Sequence, residues 1–323
     1  MLMVEMTLPR FAFFEGKIVP YSEAKVGVMN HTLNYGTGAF GGLRAYFNDE
    51  EDQLFIFRAH DHFRRFLNST RLLAMEVPHT EDELVGVTVE LLRAERHRQD
   101  VYIRPLAYNA DEIIGVRLHG LKNRVSMISI PFGPSAKNDE GTHVTFSSWT
   151  RVPDNSIPAR GKIIGAYANS ALIKTEAFLA GFDDALVLDA RGHLTEGSAA
   201  NFFMLREGVV ITPPITDDIL EGITRRTLIT LIREELGMEV FERSIDRTEV
   251  YLAEEALLCG TGVQIMPVTR VDHRPIGSGK TGDFVTELRE LYFNVVRGKS
   301  PRYRVWNTPV YLPEVSPEQR GIS

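Results

Sequence analysis

Apolar and polar residues alternate over residues 11–20, on either side of Glu15, Gly16 and Lys17, which predicts a β-hairpin. Residues 43–47 and 54–57 predict a second hairpin across the acidic turn 48–52. The period then changes. Phe63, Phe66, Leu67, Thr70 and Leu73 fall at helical spacing, so a helix is expected from Ala59 to Met75. Thr80 and Glu83 form a capping-box pattern that opens a second helix running to His97. Residues 101–108 and 125–131 read as strands separated by the loop-like stretch 109–123. Strands interleaved with two helices make this first part α+β.

Residues 131–141 are rich in turn formers and polar side chains, the pattern of a linker. Beyond it, Ala168, Ala171, Leu172, Thr175 and Leu179 predict one apolar helix face, stopped by Gly181. Residues 185–188, 193–195, 202–205 and 209–212 predict strands with glycine-containing turns, and 256–258 another. Residues 224–236 predict an amphipathic helix with Leu228, Leu231 and Ile232 inward and Gly237 ending it. The polar, proline-bearing stretch 298–323 is expected to hug the surface. The expected fold class is α+β to α/β, with a smaller N-terminal domain at 1–133, a linker at 134–142 and a larger domain at 143–323. A chain of 323 residues suits two such cores.

Composition narrows the function. A net charge of −7 argues against nucleic acid as a partner, because phosphate contacts need a basic field. The single cysteine, Cys259, forms no internal disulfide, which suits a reducing compartment. Residues 1–9 show no signal-peptide pattern, and no apolar run reaches the roughly 18 residues of a membrane helix. A cytoplasmic chain without membrane partners is expected.

Lysines in polar turns are ordinary surface residues, whereas Lys162 lies between Gly161 and the run Ile163, Ile164, Gly165, Ala166. A buried amine there could bond pyridoxal phosphate, and Glu196 at a strand end could keep the pyridine nitrogen protonated. The plainer readings are a snorkelling lysine and a turn acid. Glycine and threonine at Gly222 and Thr224 open a helix, which suits a phosphate but equally suits an ordinary N-cap. The turn after residues 256–258, Cys259 to Gly262, is a second candidate anion nest. Tyr102 and Arg104, two apart on a strand, share a face and could grip a carboxylate.

Three patterns lack their context. Gly36, Gly38 and Gly41 match the dinucleotide glycine spacing but do not sit between an apolar strand and a helix. His60 and His62 have no partner at zinc spacing, so no metal is expected. Cys259 has no indicated base and reads as a structural thiol.

Read in order, residues 31–44, 101–106, 147–167, 192–203, 213–225 and 260–268 resemble branched-chain amino acid aminotransferases of the fold type IV pyridoxal phosphate group. The resemblance implies two mixed α/β domains with pyridoxal 5'-phosphate between them, and a site completed by a second subunit, hence at least a homodimer. It assigns Lys162 to the Schiff base, Glu196 to the pyridine nitrogen and Tyr167 to the phenolic oxygen. It assigns the phosphate to Arg65, Ile223, Thr224 and Thr261. Phe40, Gly42, Tyr102, Arg104 and Trp149 would line the substrate side, with Tyr35 near the subunit boundary and a Gly262 amide on the substrate carboxylate. The implied reaction is ping-pong transamination between leucine, isoleucine or valine and 2-oxoglutarate, with Lys162 as the base.

Relatives commonly carry Gly-Thr-Ala-Ala-Glu where this chain has Gly260, Thr261, Gly262, Val263 and Gln264. A second acid common after Glu196 is missing, and the 111–121 segment carries Arg117, a possible further carboxylate contact. These departures leave open a relaxed specificity toward (R)-primary amines. D-amino acid aminotransferase or aminodeoxychorismate lyase-like activity, or non-catalytic binding of pyridoxal phosphate or a sugar phosphate, stand as alternatives.

Overall fold

The computed structural model describes residues 7–133 and 141–311. Most of the stretch read as a linker, 134–140, therefore lies outside the described residues, as do 312–323 of the tail and 1–6.

The first part runs β1 (Phe11–Phe14), β2 (Lys17–Pro20), α1 (His31–Tyr35), β3 (Ala39–Phe40), β4 (Leu43–Asn48), β5 (Gln53–Phe57), α2 (Ala59–Leu72), α3 (Glu81–Glu95), β6 (Val101–Asn109) and β7 (Asn123–Pro131). The first hairpin turns at Glu15 and Gly16, both at positive φ (48° and 85°). Such turns match the natural strand twist. The capping box on α3 is formed as expected: Thr80 Oγ1 accepts from the Glu83 amide at 3.2 Å and Glu83 Oε2 from the Thr80 amide at 2.7 Å.

The second part runs β8 (Thr142–Phe146), α4 (Tyr167–Leu179), β9 (Asp184–Leu188), β10 (Leu194–Gly197), β11 (Asn201–Arg206), β12 (Val209–Thr212), α5 (Ile223–Glu234), β13 (Val240–Glu242), α6 (Arg247–Val250), β14 (Glu255–Gly260), β15 (Gln264–Val271), β16 (Arg274–Pro275), α7 (Asp283–Val296) and β17 (Asn307–Pro309).

Two sheets result. Along the first, the order is β17-β5-β4-β6-β7-β1-β2, with β3 beside β6. The second runs β10-β9-β8-β15-β14-β11-β12-β13, with β16 beside β15, and is mixed, since β8 lies parallel to both β15 and β9. The tail does more than lie on the surface, because Asn307–Pro309 pairs with β5 and returns the chain to the first sheet. One core packs α2 and α3 on the first sheet through Phe63, Phe66, Leu84 and Leu91. Another buries Tyr46 and Phe57 of the first sheet with Leu228, Leu231, Leu257 and Tyr292 of the second part, joining the two halves by shared apolar contact.

Helix α4 reverses the expected face. Ser170, Ile173 and Ala177 are buried, while Ala168, Ala171, Leu172, Thr175 and Leu179 are exposed, Leu179 by 81%. Apolar residues surround most of this helix, so periodicity alone does not select a side. Packing does: Ile173 and Ala177 sit on Ala185 and Val187 of β9, while Lys174 Nζ pairs with Asp184 at 2.8 Å.

The glycine run 36–42 has a packing role. Gly36 closes α1 at φ +67°, and a Cβ there would come within 2.9 Å of the Gly165 Cα. A Cβ on Gly38 would meet the Ala107 carbonyl at 2.8 Å, and one on Gly42 the Tyr102 hydroxyl at 2.3 Å. The spacing that mimics a dinucleotide motif lets β3 lie against β6 and against the backbone around Lys162.

Candidate active site

Lys162 is positioned by its backbone. Its amide donates to Ser69 Oγ on α2 at 3.0 Å, and its carbonyl accepts from the Phe40 amide at 2.9 Å. The Ile164 amide completes the clamp on the Gly38 carbonyl at 2.8 Å. The side chain lines a cavity of about 300 Å³ and donates to the Tyr167 hydroxyl at 2.5 Å. Burial, reinforced by the Arg65 cation, lowers the amine from 10.5 to about 7, against the opposing pull of Glu196. A large fraction is therefore neutral near pH 7, and a neutral amine is both nucleophile and base.

Glu196 stands on the same cavity, 2% exposed, where β10 bulges between Leu194 and Glu196. A bulge re-aims a side chain. Its carboxylate accepts from the Arg151 guanidinium, from Asn201 Nδ2 at 2.9 Å and from the Leu220 amide at 3.3 Å. Burial raises its pKa; Arg151 opposes that most strongly. A buried carboxylate beside a cation and two further donors is suited to hold a positive charge on a ligand.

Another part of the cavity lining suits an anion. Helix α5 begins at Ile223 after Gly222, with no side chain capping its first amides. Ile223 and Thr224 line the cavity together with Arg65 of α2, whose Nη1 reaches the Glu221 carbonyl at 3.4 Å. Free helix-start amides beside a buried guanidinium favour a phosphate. Gly222 is needed there, since a Cβ would lie 2.0 Å from Asn201 Oδ1.

Tyr102 and Arg104, also in the lining, share a face of β6 as expected, and the Tyr102 hydroxyl accepts from Arg104 Nη2 at 3.0 Å. The Arg104 guanidinium lies over the Phe40 ring at 4.5 Å, and Phe40 meets Tyr167 edge-on at 4.6 Å. Gly42, Thr261 and Gly262 complete this side.

The cavity thus joins segments far apart in the chain into one amine, one carboxylate, one anion cradle and an aromatic wall, and its family follows from comparison. Residues 38–271 match the family described as amino-transferase class IV. The chain belongs to that family. It is 47% identical to the probable branched-chain-amino-acid aminotransferase of Aquifex aeolicus over 301 residues, covering 93% of this chain and 97% of that one. Its fold is similar to the branched-chain aminotransferase of Thermoproteus uzoniensis solved with norvaline, with a TM-score of 0.90, 40% identity and coverage of 94% and 100%. Another solved branched-chain amino acid aminotransferase, complexed with N-(5'-phosphopyridoxyl)-L-glutamate, is similar at TM-score 0.89, 38% identity and coverage of 94% and 99%.

Lys162, Glu196, Arg65, Tyr167, Ile223, Thr224, Thr261, Phe40, Gly42, Tyr102, Arg104 and Gly262 all line the cavity. Tyr35, Trp149 and Arg117 do not. Trp149 is 45% exposed, Arg117 is exposed, and the Tyr35 hydroxyl accepts from the Gly115 amide at 3.1 Å. No local pattern singles out Arg151 and Asn201, although both fall inside the stretches that carry the resemblance. Asn201 reaches Glu196 from five positions away, whereas the Arg151 contact spans 45 positions that only the fold closes. Cys259 also lines the cavity, but burial pushes its thiol up, which keeps it inert.

Proposed function

We propose that the chain catalyses transamination between a branched-chain L-amino acid and 2-oxoglutarate, with pyridoxal 5'-phosphate as cofactor. The observation that carries this reading is the convergence of the Lys162 amine, the Glu196 carboxylate and the Arg65–α5 anion cradle on one cavity. The donor set fits the cofactor: a near-neutral amine for its aldehyde, an acid for its ring nitrogen and helix-start amides with a guanidinium for its phosphate. The norvaline and phosphopyridoxyl-glutamate complexes of the relatives support an aliphatic donor and a dicarboxylate partner in one pocket.

When bound, the cofactor supplies an aldehyde for amine exchange and a ring that accepts electron density from the substrate α-carbon. The protein residues do the rest. Arg65, Ile223, Thr224 and Thr261 hold the phosphate. Glu196, paired with Arg151 and hydrogen-bonded by Asn201, would hold the proton on the ring nitrogen. Tyr167 orients the phenolic oxygen. Lys162, whose amine burial lowers to about 7, would take the proton from the substrate α-carbon and hold it for return. Phe40 supplies apolar contact for a branched side chain, while Tyr102 and Arg104 meet a carboxylate.

The working unit is at least a homodimer in the cytoplasm. Supporting this are the exposed apolar side chains Val28, Leu33, Ile114 and Val116 around the Tyr35–Gly115 contact, a patch of the kind a subunit interface covers. Arg117, next to this patch in the chain, would meet substrate only in that assembled state. Incubation with L-leucine and 2-oxoglutarate should yield L-glutamate; no glutamate, with cofactor bound, would overturn the reading.

A further inference from the structure

Arg44 of β4 is 2% exposed and heads the fully buried side chains in size. Its hydrogen bonds go to backbone carbonyls: Nε to Thr261 at 2.8 Å, Nη2 to Gly262 at 2.9 Å, Nη1 to Phe132 at 2.9 Å and Nη2 to Gly133 at 3.4 Å. The Phe132 ring covers the guanidinium at 4.6 Å. Among the described residues the guanidinium binds only carbonyls, and burying it so is costly, because dipoles repay its lost hydration less fully than a carboxylate would.

The geometry gives the charge a use. Thr261, Gly262 and Val263 line the cavity, and Arg44 does not, so Arg44 lies behind the turn. In a trans peptide the N–H points opposite the C=O. With the Thr261 carbonyl held toward Arg44, the Gly262 amide faces away from it, to the cavity side. Next to the turn, Gln264, 1% exposed and at φ +59°, lies 3.5 Å from the Tyr46 hydroxyl, which pairs with the Tyr292 hydroxyl at 3.2 Å. A positive φ at a non-glycine residue persists only where its surroundings hold it.

We infer that Arg44 is a positioning residue for the substrate carboxylate: it fixes the Thr261–Gly262 turn with its amide toward the cavity and places a permanent cation behind it. Tolerance of glycine at position 262 follows, since the guanidinium, and not the side chain at 262, sets the turn. This inference rests on the reading of the cavity as an aminotransferase site.

The test compares two ligands of the holoenzyme and its apo form. The first is 4-methylpentanoate, the leucine skeleton without its amine, titrated calorimetrically into holoenzyme. The second is pyridoxal phosphate, titrated into apoenzyme. Arg44→Lys keeps the charge but cannot fork onto two carbonyls, and should weaken 4-methylpentanoate about tenfold, with Arg44→Gln weakening it further. Pyridoxal phosphate loses only the Thr261 share of its phosphate contacts, with Arg65, Ile223 and Thr224 untouched, so its affinity should fall clearly less than that of 4-methylpentanoate, by about threefold. If Arg44→Gln does not fold, the Arg44→Lys result decides alone. Unchanged 4-methylpentanoate binding overturns the inference, and so does an equal loss for both ligands, which would mark a merely structural residue. Failure of the parent reading shows separately, in wild-type protein that binds pyridoxal phosphate but yields no L-glutamate from L-leucine.

Discussion

The Lys162 amine donates to the Tyr167 hydroxyl across 2.5 Å, and burial drives their pKa values apart, the amine down to about 7 and the phenol up to about 12. At neutral pH the pair therefore carries at most one charge, on the amine. Capture of pyridoxal phosphate by cofactor-free protein needs that amine neutral. Its rate constant should rise as pH climbs through about 7 and level off above, because the protonated fraction falls away. Stopped-flow absorbance from about pH 5.5 to about 9 reads this directly, a range that brackets the amine. A rate still climbing steeply at the alkaline end would mean an ordinary lysine.

Glu196 depends on Arg151. Removing the cation leaves a 2% exposed carboxylate whose burial already pushes its pKa up. Arg151→Gln should therefore protonate Glu196 and destabilise the protein by about 3 kcal/mol, the usual cost of breaking a buried pair. Glu196→Gln should lower kcat by about 10²-fold or more. Adding Arg151→Gln to Glu196→Gln should cost less than the two single effects summed, which denaturant melts would show.

Gly42 leaves room for Tyr102. A methyl at position 42 would stand 2.3 Å from the Tyr102 hydroxyl and displace it from Arg104. Gly42→Ala should raise KM for both amino acid and 2-oxo acid by about tenfold, the loss of one charged hydrogen bond, while cofactor affinity holds. Equal KM values in the two proteins would remove Tyr102 and Arg104 from the substrate site.

Arg65 should govern the anion end. Arg65→Gln removes the guanidinium from the α5 start and should weaken pyridoxal phosphate by about ten- to a hundredfold, with pyridoxal lacking the phosphate little affected. Equilibrium titration of both compounds separates the phosphate contribution from everything else.

Much of this site is legible in the sequence because its residues sit in short ordered motifs. Lys162 stands out through its small and apolar neighbours, and Tyr102 and Arg104 through strand alternation. Other parts depend on contacts between remote segments. Arg44 and Thr261 are 217 positions apart, and nothing local to residue 44 marks it as a brace for that turn. Arg151 and Glu196 meet across 45 positions, joined only once β10 bulges. The buried face of α4 escapes the periodicity because that helix is apolar on several sides; β9 as neighbour, and not the period, selects Ile173 and Ala177. Asn307–Pro309 is too short a pattern to announce a strand, and pairing with β5 supplies the order its own propensity lacks.

The central claim is a covalent bond between cofactor and one lysine. Borohydride reduction of the holoenzyme, followed by peptide mass mapping, should place the phosphopyridoxyl group on Lys162 and leave Lys162→Ala protein unlabelled. Label on another lysine of the wild-type chain, or equal labelling of the alanine variant, would contradict it.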